Sequence, residues 1–198
     1  PGISFVSHQG CISGWRTLKG LSPLRFWQDM RALDCRDYDL VISDFEPLSA
    51  HAARRWQKTS LTISHQASFD WPIPRWEESG FNRQLMRHFA PVSRSLGLHW
   101  FHFGQPLLPP IIDPMTPAPD NQQILVYLPF EQTEQIAALL SRFSQQRFVC
   151  FHPGLRKASQ WRNIRFEPAA REGFKLALAG CRGVISNAGF ELASEALS

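Results

Sequence analysis

The stretch Gly183-Val184-Ile185-Ser186-Asn187-Ala188-Gly189-Phe190-Glu191-Leu192-Ala193-Ser194-Glu195-Ala196-Leu197 reads as a buried strand that runs through small and polar residues directly into a helix. Strand, turn and helix in this order are the repeating unit of a parallel sheet with helices on its faces. The turn points backbone N–H groups and the positive end of the helix dipole outward, and Gly189 carries no Cβ to obstruct an approaching diphosphate. Glu191 and Glu195 are four residues apart and so share a helical face, where a carboxylate can accept hydrogen bonds from the vicinal hydroxyls of a ribose. A plainer reading stands beside this one: Asn187 caps the helix and both glutamates complement its dipole.

The same alternation extends backwards through the chain. Residues 123–128 read as a strand, 133–143 as a helix, 147–151 as a strand, 163–166 as a weaker strand and 171–179 as a helix. Before that, residues 105–119 hold six prolines in fifteen positions, a composition that continues neither a helix nor a central strand and so reads as a semi-rigid linker. Upstream of it, 38–44 read as a buried strand, Pro47 opens a helix to about residue 57, and 60–64 form the next strand. A helix over 82–95 and a short strand over 99–103 complete this half. The expectation is an α/β protein of two Rossmann-like lobes with parallel sheets flanked by helices, one over residues 1–112 and the other over 113–198.

Composition narrows the function. At 43% hydrophobic residues the 198-residue chain buries a real core, and no run approaches the roughly 18 apolar residues of a membrane span. The net charge of +4 suits a phosphorylated ligand, an anionic surface or a nucleic acid. The basic residues fall in short groups such as Arg54-Arg55 and Arg156-Lys157, with no aromatic signature of RNA binding, so nucleic acid is not expected as a partner. Cys11, Cys35, Cys150 and Cys181 lack paired spacing, which fits reduced thiols in the cytoplasm better than a disulfide framework or a zinc site. The region 14–33 mixes Leu24, Phe26, Trp27 and Met30 with Arg25 and Arg31; core packing is the favoured reading, and contact with membrane lipid at the inner membrane the alternative.

The run from Ser186 to Glu195 resembles the donor motif of the MurG-type N-acetylglucosaminyltransferases, and its glycine-aromatic pair resembles the signature of plant UDP-glycosyltransferases. Together with 38–47, 63–69, 106–112 and 125–131, it is similar to a family of MurG-like predicted glycosyltransferases. The resemblance implies the two-lobed GT-B fold, with an N-terminal acceptor-side lobe and a C-terminal nucleotide-sugar-binding lobe. It implies transfer of a sugar from a nucleoside-diphosphate donor, UDP being expected, to an unspecified acceptor, with one carried on a lipid among the alternatives. By the same resemblance Asn187 and Gly189 face the diphosphate, Phe190 shapes the turn, and Glu191, Ser194 and above all Glu195 complete the donor site. No cofactor and no metal are expected, since the nucleotide sugar is itself a substrate. The glycine-rich loop that such enzymes place after the first strand of the C-terminal lobe is here Leu128-Pro129-Phe130-Glu131, and neither an opening strand with its own glycine loop nor sequence beyond the donor helix is seen; both lobes are therefore expected to be incomplete.

Residues that follow strands carry the chemistry in open α/β sheets. Asp44 and Glu46 follow the strand at 38–43, and His65 follows the strand at 60–64. An inverting transfer needs a base to take the acceptor hydroxyl proton, which selects His65 or Asp44, with Glu46, Pro129 and Phe130 expected along the cleft. Each has a structural alternative, Asp44 as a helix cap ahead of Pro47 and His65 as a partner for loop backbone. A nucleotide-sugar 2-epimerase and a non-catalytic nucleotide-sugar-binding protein are the competing functions.

Overall fold

The computed structural model describes residues 7–8, 11–12, 23–75, 84, 88–187 and 189–198. The chain divides between Ile111 and Ile112 into two compact units, with the short antiparallel pair β1 (Ser7–His8) and β2 (Cys11–Ile12) grouped with the second.

In the first unit, β3 (Leu40–Ser43), β4 (Thr59–Ser64) and β5 (Arg94–Gly97) form a parallel sheet in sequence order. α2 (Pro47–Arg55) crosses between β3 and β4, and buries Pro47, Ala50, Ala52 and Ala53. The buried face of this sheet is small and hydroxylic: Ser43, Ser60, Thr62 and Ser64 are buried. Their hydroxyls are spent on the chain itself, Thr62 Oγ1 accepting from the Phe45 N–H at 3.3 Å and Ser64 Oγ from the Ala67 N–H at 3.1 Å. Leu40, Ile42 and Leu96 lie on the opposite face and are exposed. α1 (Pro23–Ala32) buries none of its residues, against the expectation of core packing over 14–33, of which 14–22 lie outside the described residues: Leu24 is 67% exposed, Trp27 lies under the Arg31 guanidinium at 3.3 Å, and the half-buried Phe26 meets the edge of His51.

Two further expectations are corrected here. Residues 94 and 95, read as the end of a helix, open β5; of the rest of that expected helix, 84, 88 and 89 are helical, 90–93 are not, and 82, 83 and 85–87 lie outside the described residues. Residues 99–103, read as a strand, form a turn. The Nδ1 atoms of His99 and His102 accept the N–H groups of Phe101 and Gly104 at 3.2 and 2.8 Å, and Phe103 and Gly104 take φ of 51° and 72°. Aromatic residues favour strands for their packing, but here the histidines offer the backbone a local alternative.

The second unit holds a five-stranded sheet, ordered β10 (Gly183–Ser186), β6 (Gln123–Tyr127), β7 (Arg147–His152), β9 (Ile164–Pro168), β8 (Ser159–Trp161). All neighbours are parallel except β8, which returns antiparallel on β9. Strict alternation along the strands divides its core in two. Val126, Leu128, Phe148, Cys150, Ile164 and Phe166 face α3 (Thr133–Leu140), which contributes Ile136 and Leu140 at helical spacing. Leu125, Val149 and Phe151 face α4 (Arg171–Gly180) and Leu192 of α5 (Phe190–Ala196). Each fully buried aliphatic side chain stabilises this unit by about 1.5–3 kcal/mol. The segment leading into β6 is tied to α4 by Ala118 N–H to the Ala179 carbonyl at 2.9 Å and by Asp113, which meets Arg171 at 2.8 Å and Lys175. The Lys175 and Arg171 charges hold the Asp113 carboxyl below the usual carboxylate range.

Among the described residues Cys35, Cys150 and Cys181 are free thiols. Burial pushes the Cys150 thiol up to about 11. Since the thiolate is the nucleophile, Cys150 is expected to resist a disulfide reagent at pH 8 in the native protein and to react on unfolding; reaction at the rate of a free thiol in the native state would contradict its place in the core.

Candidate functional site

Each unit presents its polar strand-end residues along the carboxyl edge of its own sheet. In the second unit the chain leaves β6 toward β7 on one side, while β10 adds on the other, so the order of strands reverses between β10 and β6. The carboxyl end of such a switch point is where open α/β sheets bind ligands. Ser186 pairs with Tyr127, so Asn187 and Leu128 leave the sheet as neighbours. Asn187 and Gly189 are exposed, Phe190 is half-buried, and Glu191 and Glu195 stand one turn apart on α5, the first exposed and the second half-buried. Ser194 is buried and its hydroxyl donates to the Phe190 carbonyl at 2.6 Å, so it braces the helix. The cap of α5 is Gly189, without a side-chain hydrogen bond, so the plainer reading of Asn187 as the capping residue is not what the structure shows. Open space surrounds the position that a Cβ on Gly189 would take.

The neighbouring loop Leu128-Pro129-Phe130-Glu131 is a closed turn, with the Glu131 N–H donating to the Leu128 carbonyl at 3.2 Å. Phe130 is exposed and Pro129 half-buried. A cavity of about 350 Å³ lined by Leu128, Glu131, Gln135, Ile136 and Leu139 lies beside this turn, along α3. Behind the turn stands His152, the last residue of β7 and buried. Its Nδ1 lies 3.0 Å from the Gly154 N–H and its Nε2 3.0 Å from the Glu131 carbonyl. An amide N–H can only donate and a carbonyl can only accept, so the imidazole is the neutral tautomer with its proton on Nε2.

In the first unit Asp44, Glu46 and His65 all follow strands at one sheet edge. Asp44 is exposed. Glu46, rather than Asp44, caps α2: its two carboxylate oxygens accept from Leu48 N–H at 2.9 Å and Ser49 N–H at 2.8 Å, and Ser43 Oγ closes the turn on its backbone. Between them Phe45 adopts φ 48°, a left-handed conformation that costs a non-glycine residue energy and is held by the Thr62 bond and by the Phe89 ring at 5.1 Å. The His65 carbonyl accepts from Ser68 through both N–H (3.0 Å) and Oγ (2.6 Å), and its Nδ1 lies 3.0 Å from the Leu98 carbonyl. A carbonyl only accepts, so Nδ1 carries a proton. His99 and Trp100, which follow β5, bring their rings to 5.5 and 6.4 Å from that of His65. Burial, and then the neighbouring His65, push the His99 imidazole below the usual histidine range.

His99, Trp100 and His152 were not distinguishable by spacing. The signal that unites His99, His102 and His152 is that each accepts the N–H two residues on, and only coordinates reveal it. A second cavity, about 480 Å³ and lined by Arg54, Lys58, Ser60 and Ser93 among others, opens at the amino edge of the first sheet, away from these residues. Among the described residues no group of three or more metal-ligating side chains converges.

Fold and site together define an α/β protein of two parallel-sheet units, each with polar residues gathered at a carboxyl edge. The sequence profile described as glycosyl transferase family 1 matches residues 24–198, and the chain belongs to that family. No curated protein matches it. Among solved structures it is similar to the glycosyltransferase SnogD from Streptomyces nogalater, at 18% identity over 85% of this chain and 52% of that chain, with a TM-score of 0.42. It is also similar to UGT89C1 of Arabidopsis thaliana, at 16% identity over 98% of this chain and a TM-score of 0.45, in a complex with quercetin covered to 61% and one with UDP covered to 63%. The chain thus spans 52% to 63% of the length of these structures.

Proposed function

We propose that this chain is part of a MurG-like glycosyltransferase of GT-B architecture that moves a sugar from a nucleoside-diphosphate donor, UDP being the nucleotide assigned, to a hydroxyl acceptor. The observation that carries this reading is the family match across residues 24–198, which includes the turn at the strand-order reversal. Residues 113–198 form the donor lobe. Asn187 and Gly189 receive the diphosphate, Phe190 sets the turn, and Glu191 and Glu195 hold the ribose, Glu195 foremost. Residues 1–112 form the acceptor lobe, where His65 is the general base, its ring oriented by the bond from Nδ1–H to the Leu98 carbonyl. Asp44 is the alternative base, exposed at the same edge. No cofactor or metal takes part in this reading; donors at the turn stabilise the leaving diphosphate.

We assign the protein to the cytoplasm, with peripheral contact at the inner membrane. No described helix is long and apolar enough to cross a membrane, while the exposed Leu24 and Trp27 of α1, set among Arg25 and Arg31, support a surface contact with anionic lipid.

Calorimetric titration with UDP, ADP and GDP tests the donor site. Saturable UDP binding is expected, and Glu195→Ala is expected to weaken it about tenfold to a hundredfold, the worth of a charge-assisted hydrogen bond or two. UDP affinity that survives the substitution unchanged would remove Glu195 from the site.

A further inference from the structure

We propose that His152 is a positioning residue of the donor site, holding the loop Leu128-Pro129-Phe130-Glu131 in the place that MurG-type enzymes give to a glycine-rich phosphate loop; this rests on the donor reading above. In those enzymes glycines let the backbone approach the ligand. Here the loop contains a proline and an aromatic residue, and its course is imposed from behind. His152 Nε2–H donates to the Glu131 carbonyl at 3.0 Å, while Nδ1 accepts the Gly154 N–H at 3.0 Å. One buried ring thus ties together the loops that leave β6 and β7, two adjacent strands of the sheet. The fit behind it is close: a Cβ on Gly154 would stand 3.0 and 3.1 Å from the ring atoms Nδ1 and Cε1. The held loop lies beside Asn187, since Leu128 and Asn187 continue a paired register. Loss of the Glu131 bond frees the loop to depart from its position next to the diphosphate turn, which weakens donor binding without touching the donor or the acceptor chemistry.

The two ring nitrogens can be removed separately. The amide nitrogen of a glutamine stands where Nε2 stands, so His152→Gln keeps a donor for Glu131. The amide oxygen of an asparagine stands where Nδ1 stands, so His152→Asn keeps an acceptor for Gly154 and leaves Glu131 without its partner. Both variants are neutral and polar, so burial penalties are alike. The expected result is UDP binding about tenfold weaker in His152→Asn and within about threefold of wild type in His152→Gln, with amide exchange at 128–132 accelerated only in the asparagine variant. In the full enzyme with donor and acceptor, the asparagine variant is expected to raise the donor KM and leave kcat and the acceptor KM near wild type. UDP affinity equal in all three proteins, or lost equally in both variants, overturns the positioning role while the donor site stands. A wild-type protein that binds none of UDP, ADP and GDP overturns the donor reading and this inference with it.

Discussion

Gly97→Ala is expected to cost the first unit on the order of 3 kcal/mol or more, the largest stability effect of an alanine at any of the described glycines. Gly97 is buried at the end of β5, and an added Cβ would stand 2.6 Å from Ser68 Cα, 2.8 Å from Ser68 N and 2.6 Å from Leu107 Cδ2. Two of these three atoms are backbone, so no rotamer change relieves the overlap. Ser68 in turn is fully buried, and its N–H and hydroxyl both hold the His65 carbonyl. The strain therefore passes to the residue we assign as the base, and turnover is expected to fall together with stability. Gly183→Ala provides the control, because its Cβ meets nothing within 4 Å and a strand tolerates alanine at least as well as glycine. Hydrogen exchange resolves the effect by unit, with β3 to β5 loosened and β6 to β10 unchanged; a Gly97→Ala protein as stable as wild type would mean that β5 and the turn at Ser68 do not approach as described.

The second large effect concerns chemistry. On the proposed assignment His65→Ala lowers kcat about a hundredfold to ten-thousandfold, the span over which a positioned general base contributes. Donor affinity is expected to stay at the wild-type value, because His65 belongs to the first unit and the donor turn to the second. Asp44→Asn separates the two candidates: an effect as large as that of His65→Ala would move the proton to Asp44, and loss confined to Asp44→Asn would exclude His65. Glu46→Gln is expected to act differently from both. Its carboxylate is engaged with the first N–H groups of α2, so the substitution weakens a helix cap, about 1 kcal/mol, and leaves the chemical step alone.

The strands of the second unit were legible because their apolar residues sort by a period of two onto two buried faces. Leu125 and Val149 face α4, Val126 and Cys150 face α3, and no other local structure places such neighbours on opposite sides. The turn from β10 into α5 was legible for a related reason: Gly189 and the polar residues before it break the apolar run where strand gives way to helix. Asp44 as the cap of α2 was a wrong choice among near neighbours. Either carboxylate lies close enough in sequence, and the left-handed turn at Phe45 decides that Glu46 reaches the N–H groups.

By itself, the sequence determined the α/β class and the residues that follow β3, β4, β6, β7 and β10, because periodicity and turn chemistry act over a few residues and are written locally. It had no means of determining which of those residues meet. The neighbourhood of His65, His99 and Trp100 joins strand ends more than thirty residues apart. The tie from His152 to Glu131 spans 21 residues and exists because β6 and β7 lie side by side. The tautomer of His152 follows from such bonds, and a tautomer depends on what stands opposite each nitrogen. Only the packed sheet supplies that.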